Sequence, residues 1–441
     1  MTFPRPGRFR VCLIAILGIA GAPIATPAAA ASSCTSSTGI SCSPSHVAWG
    51  FDDRVRAILR VGNVVYVGGR FHDAIRSDES GTVVETVRRD HLAAIDATTG
   101  DLLPWAPRID EGGQENGDVY AMATYTPIGR RVPLVMVAGD FVDVAWTTKG
   151  STYTQAKREH FAAFRSKNFG ALDDLTIDTG HRARAIAVHA NRLYLGGSFS
   201  WVDTPTDPKT DRSRVAAFNL KKGGTIIPTW SPDVEGGSVY DLDTLPDGAV
   251  VLGGTFASLS GGGTTTGGFL GEVSQRGDVR PWADAPVGKV IDVKAATGDW
   301  CGLDPVTDAC ILTGQGDVPG GHAPNNGAAL FDEQGHQLWY RGTDGDVQAV
   351  GWVADRAIIG GHFGEVDDTG GLGSVDAKKV AALDPLDHGD YDPSWKPNIV
   401  PAAGLGVWGI LGTADALYLG GDFTQAKGEP TRRFAQFPIG P

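Results

Sequence analysis

The sequence carries none of the short signatures that announce a reaction. It has no G-x-S-x-G nucleophile turn, no H-E-x-x-H, no C-x-x-C and no Walker-type loop. Cations are also scarce, with 38 Lys and Arg against 51 Asp and Glu and a formal net charge of -13. Nucleic acids and anionic lipid draw their affinity from Lys and Arg, so such partners are disfavoured. Beyond the N-terminus the long uncharged stretches, 248–271 and 397–414, are broken by glycine, proline, serine or threonine and do not read as a membrane-spanning helix. Only five cysteines occur, and neither close pair has metal-knuckle spacing or an accompanying His pair.

What is present begins with an address. Arg5, Arg8 and Arg10 form a basic region, Val11 to Ala20 an apolar one, and ATPAAAASS a small-residue cleavage zone. Residues 1–31 therefore read as a signal peptide and the mature chain as secreted. Removing them takes away three arginines and no acid, so the charge falls from -13 to -16. Cys12 leaves with the signal, and the remaining four fall as Cys34 with Cys42 and Cys301 with Cys310. An even count in an exported chain favours two disulfides, with four buried free thiols as the alternative. Residues 32–45 would then be a stapled N-terminal segment.

The dominant feature is a repeated phrase, an apolar strand ending in Gly-Gly-x-Phe. It appears as VVYVGGRF (64–71), LYLGGSF (193–199), VVLGGTF (250–256), AIIGGHF (357–363) and LYLGGDF (417–423), with weaker copies VMVAGDF (135–141) and CILTGQG (310–316). Between Gly69, Gly139, Gly197, Gly254, Gly314, Gly361 and Gly421 the steps are 70, 58, 57, 60, 47 and 60 residues. One supersecondary unit is thus used seven times. Each copy is preceded by a strand such as VRAIL (from Val55) or ARAIAV (from Ala183). It is followed by a small-centred strand such as HLAAID (91–96) or RVAAF (214–218), then a glycine turn and a tryptophan strand such as PWAP around Trp105.

Four strands repeated radially predict an all-β, seven-bladed β-propeller over residues 46–441. The glycines are expected to take positive φ at a bulge and to let the next blade approach, and the Phe to fill the space between sheets. The last copy stops after RFAQFPIGP without its tryptophan strand, and HVAWGF (46–51) offers one at the other end. The N-terminal strand is therefore expected to complete the last blade and close the ring.

On these residues the chain resembles the bacterial delta-60 repeat family of exported β-propellers, whose unit carries the same v-y-v-G-G-x-F strand and following l-A-x-l-d phrase. The likeness covers essentially the whole mature chain. It departs in blade two, where Ala138 replaces the first glycine, and in blade five, with Thr313 and no Phe. The resemblance implies fold and export and hands over no reaction.

Function must then lie where the copies differ. The connections from Phe71 to His91, Phe141 to His160, Phe199 to Arg214 and Phe363 to Lys379 hold 19, 18, 14 and 15 residues, and they mark one face as the ligand face. The first strand of each repeat starts on that face and lines the central channel. One of its columns is heterogeneous: Arg56, Tyr120, Arg184, Tyr240, Ile291, Gln348 and Trp408. Asp241 and Asp292 interrupt the neighbouring small-residue column, and Asp53, Asp118 and Asp346 sit at or near the strand entrance. Packing and ion pairing between blades is one account of these residues, and a binding mouth is the other. Tyr, Trp, Arg and Asp would suit a glycan or a peptide, and an acidic rim could hold Ca²⁺. Histidines His72, His91, His160, His322 and His362 lie in or beside the same face, His362 being singled out by its place at the x of Gly-Gly-x-Phe. The sequence reading is a monomeric, cofactor-free binding propeller. Its alternative is a polysaccharide lyase or hydrolase acting at the channel mouth.

Overall fold

The computed structural model describes residues 38–45, 47–110, 117–150, 152–286, 288–297, 309–317, 326–367 and 373–440. The chain divides into two units, Met1–Ser33 and Cys34–Pro441. The signal peptide read from the sequence lies outside the described residues, as do Cys34, Cys301 and His322. Apart from one 3-10 turn at Leu220–Lys222, the regular elements among the described residues are strands.

Seven antiparallel sheets follow one plan. In the third repeat Ala183–His189 pairs with Arg192–Gly197, that strand with Val215–Asn219, and that in turn with Thr225–Ile226. The other inner strands are Val55–Val61, Asp118–Tyr125, Val239–Thr244, Lys289–Thr297, Val347–Val353 and Val400–Gly412. Each inner strand lies against the inner strand of the next repeat, and the last lies against the first. Sheets that succeed one another around a common channel form a β-propeller architecture.

Sequence alternation explains why the sheets stack. Along Arg192–Gly197, Leu193 and Leu195 join a core shared with the second repeat, while Tyr194 joins one shared with the fourth. A strand buried on both faces must be apolar at every position, each large side chain contributing about 1.5–3 kcal/mol on burial. Tryptophans then tie one sheet to the next. The Trp105, Trp230 and Trp339 indoles donate to the carbonyls of Arg165, Ser274 and Pro385 at 2.9, 3.0 and 3.1 Å.

The Gly-Gly-x-Phe phrase meets one half of the sequence expectation, the close approach of the next sheet, and not the other. Its glycines do not take positive φ; they are required by space. A Cβ on Gly68 would stand 2.6 Å from Cγ1 of Val119 in the next sheet, and one on Gly69 would collide with the Arg54 carbonyl. The same approach recurs at Gly196 on Val239, Gly360 on Val407 and Gly420 on Val55, the last linking the final repeat to the first. Positive φ falls instead on the residue that opens each third strand: His91, His160, Arg214, Phe269, Lys379 and Arg433, at φ 67 to 78°. In each case its amide donates to the carbonyl of the Phe and its carbonyl accepts from the second glycine, as with His91, Phe71 and Gly69 at 2.8 and 3.2 Å. Two backbone bonds hold the left-handed turn, which offsets its cost of about 1–3 kcal/mol. In the fifth repeat Gly314 pairs with Asp292 as Gly68 pairs with Ala57, so Gln315 stands at the second-glycine position and the boundary moves by one residue.

Two further expectations are corrected. The long connections after the Phe are β-hairpins: Asp73–Ser77 pairs with Val83–Arg88, and Asp143–Trp146 with Thr154–Lys157. Each hairpin also pairs with the residues that lead into its own inner strand, for example Asp143–Ala145 with Arg108–Asp110. The chain has unpaired backbone groups to satisfy beyond the glycine kink, and the lead-in segment supplies the partners. Likewise Trp49–Phe51 pairs with Ala74–Arg76 of the first hairpin, not with the last sheet. The segment beside the last sheet lies earlier: Ser41 and Ser45 amides donate to the Pro438 and Gln436 carbonyls at 2.8 and 2.7 Å. Ile40 bridges Ile439.

Candidate functional site

All seven inner strands contain a β-bulge at the same point. Pairing jumps from Val55 to Ala57, Val119 to Ala121, Ala183 to Ala185, Val239 to Asp241, Val290 to Asp292, Val347 to Ala349 and Val407 to Gly409. The skipped residues are Arg56, Tyr120, Arg184, Tyr240, Ile291, Gln348 and Trp408, the heterogeneous column of the sequence. A bulged residue is freed from the alternation of the strand and can be aimed independently of it. Here all seven line one central cavity of about 560 Å³, together with Asp241, Asp292 and the previously unsuspected Lys294 and Asp243.

Five of the seven interlock. In neighbour order Trp408, Arg56, Tyr120, Arg184 and Tyr240 alternate ring and guanidinium. Arg56 stands 4.4 Å from the Trp408 ring centroid and 5.3 Å from that of Tyr120. Arg184 lies 5.0 Å from Tyr120 and 4.9 Å from Tyr240. Arg54 adds a further contact to Trp408 at 4.5 Å. Such contacts contribute about 0.5–2 kcal/mol each, more when desolvated. The aromatic faces therefore hold guanidinium groups in place.

The two arginines differ in charge balance. Arg56 donates to Asp118 Oδ2 at 2.8 Å, where burial pushes the carboxyl above its usual range and Arg56 and Arg54 oppose that shift. No carboxylate among the described residues forms an ion pair with Arg184, and its Nε is buried without a hydrogen-bond partner. Trp408 Nε1 and Gln348 Oε1, in the same lining, likewise have no partner.

Opposite in character is the cluster around Lys294. Its Nζ donates to Asp241 Oδ2 at 2.7 Å and Asp292 Oδ1 at 3.0 Å. The two carboxylates also accept backbone amides from the next inner strand, Val293 at 3.1 Å and Val350 at 2.7 Å, and Asp243 accepts that of Ala295 at 3.0 Å. Burial and the neighbouring Asp241 carboxylate raise Asp292 well above the carboxylate range, while Lys294, facing three aspartates, is driven upward despite its burial. The cluster ties three sheets together. A lysine two residues after an aspartate in the strand VIDVKAA, where most other copies are small or apolar, was the signal that could have revealed it.

His362 is not part of this lining. Its Nε2 accepts the Asp346 amide at 3.4 Å, so the ring is turned toward its own lead-in segment. Cys42 and Cys310 are buried, and their expected partners fall outside the described residues. Among the described residues no group of three or more His, Cys, Asp or Glu is arranged to hold a metal, and no helix is long and apolar enough to cross a membrane.

No protein-family model matches the sequence, and no curated protein does. Among solved structures the chain aligns with the computationally designed Ika8 protein at 13% identity and TM-score 0.42, covering 90% of this chain and 99% of that one. It aligns with the WD40 β-propeller domain of Doa1 at 8% identity and TM-score 0.47, covering 88% and 93%. At these scores the architecture rests on the strand pairing described above.

Proposed function

We propose that this chain is an exported seven-bladed β-propeller of the delta-60 repeat kind, acting as a binding module whose ligand enters the channel mouth. Seven repeats with one strand order support the blade count. Ring closure is supported by Ile40–Ser45 running along Phe434–Pro438, with Trp395 Nε1 donating to the Ser41 carbonyl at 3.1 Å. The basic and apolar N-terminal sequence and the two cysteine pairs support export with Cys34–Cys42 and Cys301–Cys310 disulfides.

One observation carries the binding reading: all seven blades place a bulged, non-repeating side chain in one cavity. Packing alone would favour the same residue in every copy, as it does for the Val and Ala beside them. A glycan or peptide on the exported protein fits a mouth of this size and polarity. Lyase or hydrolase chemistry is less favoured, because oxygens of Asp241 and Asp292 are committed to backbone amides and to Lys294.

A glycan and peptide array on the mature protein, repeated with Trp408→Ala, is the test. Truncating the indole removes the ring that holds Arg54 and Arg56, and is expected to weaken binding at least tenfold with folding intact. Ligands that bind wild type and variant equally would move the site away from the mouth.

A further inference from the structure

Of the three cations that line the channel wall, two are matched by carboxylates and one is not. Arg56 is matched by Asp118, and Lys294 by Asp241 and Asp292. Arg184 is held between two tyrosine rings and forms no ion pair among the described residues. Across the ring, Gln348 and Trp408 each stand three inner strands away from Arg184, in opposite directions. Gln348 offers an unbonded acceptor and Trp408 an unbonded donor. Arg184, Gln348 and Trp408 line one cavity of about 560 Å³, and a planar cation with a buried unpartnered acceptor and donor in the same wall is complementary to a compact molecule with one carboxylate and nearby hydroxyls.

Resting on the binding reading above, we propose that the mouth takes the carboxylate of an acidic saccharide, a uronic-acid residue, on the Arg184 guanidinium. Its hydroxyls donate to Gln348 Oε1 and accept from Trp408 Nε1. The rings are occupied by guanidinium groups, which removes the flat stacking platform a neutral glycan would use. A peptide would seek a regular strand edge, and every inner strand is interrupted by its bulge where it meets the mouth. Tyr120 and Tyr240 orient Arg184 so that little side-chain freedom is lost when a carboxylate arrives. The carboxylates of Asp241 and Asp292 disfavour a second anionic group deeper in the channel.

The test is calorimetric titration of the mature protein with trimers of galacturonate, mannuronate and guluronate, their methyl esters, a peptide with a free C-terminal carboxylate, and inorganic phosphate. At least one uronate trimer is expected to bind, with esterification weakening it tenfold or more. Arg184→Ala should match that loss and Arg184→Lys restore part of it, both variants remaining folded, with Arg184→Ala melting somewhat lower for the two ring contacts it loses. Added salt should weaken the acidic ligand and leave any neutral one unaffected. An ester that binds as well as its acid overturns the carboxylate assignment and leaves the binding reading standing. Peptide binding that depends on Arg184, with no uronate bound, overturns the saccharide assignment. Phosphate that competes as tightly as the trimer removes the role of the hydroxyls. If Trp408→Ala binds every array ligand as wild type does, the binding reading itself fails.

Discussion

At the scale of the residue, the chain separates repetition from information. Positions that recur, such as Gly68 and Val119, are fixed by contact with the neighbouring sheet, whereas the bulged position touches the channel and varies. A second non-repeating residue stands out in the fourth repeat. Glu272 occupies a position held by Ala or Leu in five other repeats and by Gln436 in the last, and it is fully buried beside Arg280 at 2.5 Å. Burial pushes its carboxyl up to about 7, against 4.5 for the free group. Because the folded pKa lies above the unfolded one, the contribution is fully present below pH 4.5 and is lost as pH rises through 7. That loss is on the order of 3 kcal/mol. Thermal melts at pH 5 and pH 8 should therefore show wild type falling relative to Glu272→Gln, and parallel pH profiles for the two proteins would refute the assignment.

At the scale of the element, the repeat was legible wherever one physical demand acts on every copy. Apolar runs such as LYLGG must be buried on both faces, so their strand character, order and spacing stood in the sequence. The candidate column was legible for the opposite reason, since it varies from copy to copy while the Val or Ala before it hardly changes. The hairpins after each Phe were not, because segments such as VVETVR are largely exposed and the other arm, Asp73–Ser77, pairs with lead-in residues Trp49–Phe51 far earlier in the chain. Nor was the bulge, a relation between two strands. The glycine kink makes a direct prediction. Gly68→Ala places a Cβ 2.6 Å from Val119 Cγ1 and 3.1 Å from its Cβ. It should destabilise by about 1–3 kcal/mol, whereas Gly267→Ala, with nothing within 4 Å, should stay within about 0.5 kcal/mol. Denaturation midpoints that shift equally would show that sheet-to-sheet approach is not what the glycine serves.

At the scale of the whole molecule, the placement of the N-terminal segment matters most. Ile40–Ser45 runs beside the C-terminal strand and receives the Trp395 indole, while Trp49–Phe51, only a few residues on, pairs with the first hairpin. The two halves of one short segment thus belong to the last and the first repeats. In a ring, each sheet supports two neighbours, so a seam left open exposes two apolar faces at once. Removing residues 32–45 should therefore cost more than the few hydrogen bonds lost. The expected result is a melting temperature lowered by well over 5 °C and hydrogen exchange accelerated in both Val55–Val61 and Val400–Gly412. A closure made by Trp49–Phe51, as the sequence first suggests, would instead leave this truncation nearly as stable as the chain that keeps residues 32–45. Protection lost at one edge alone, or at neither, would mean that the seam is held by the inner strands and that the N-terminal segment only covers it.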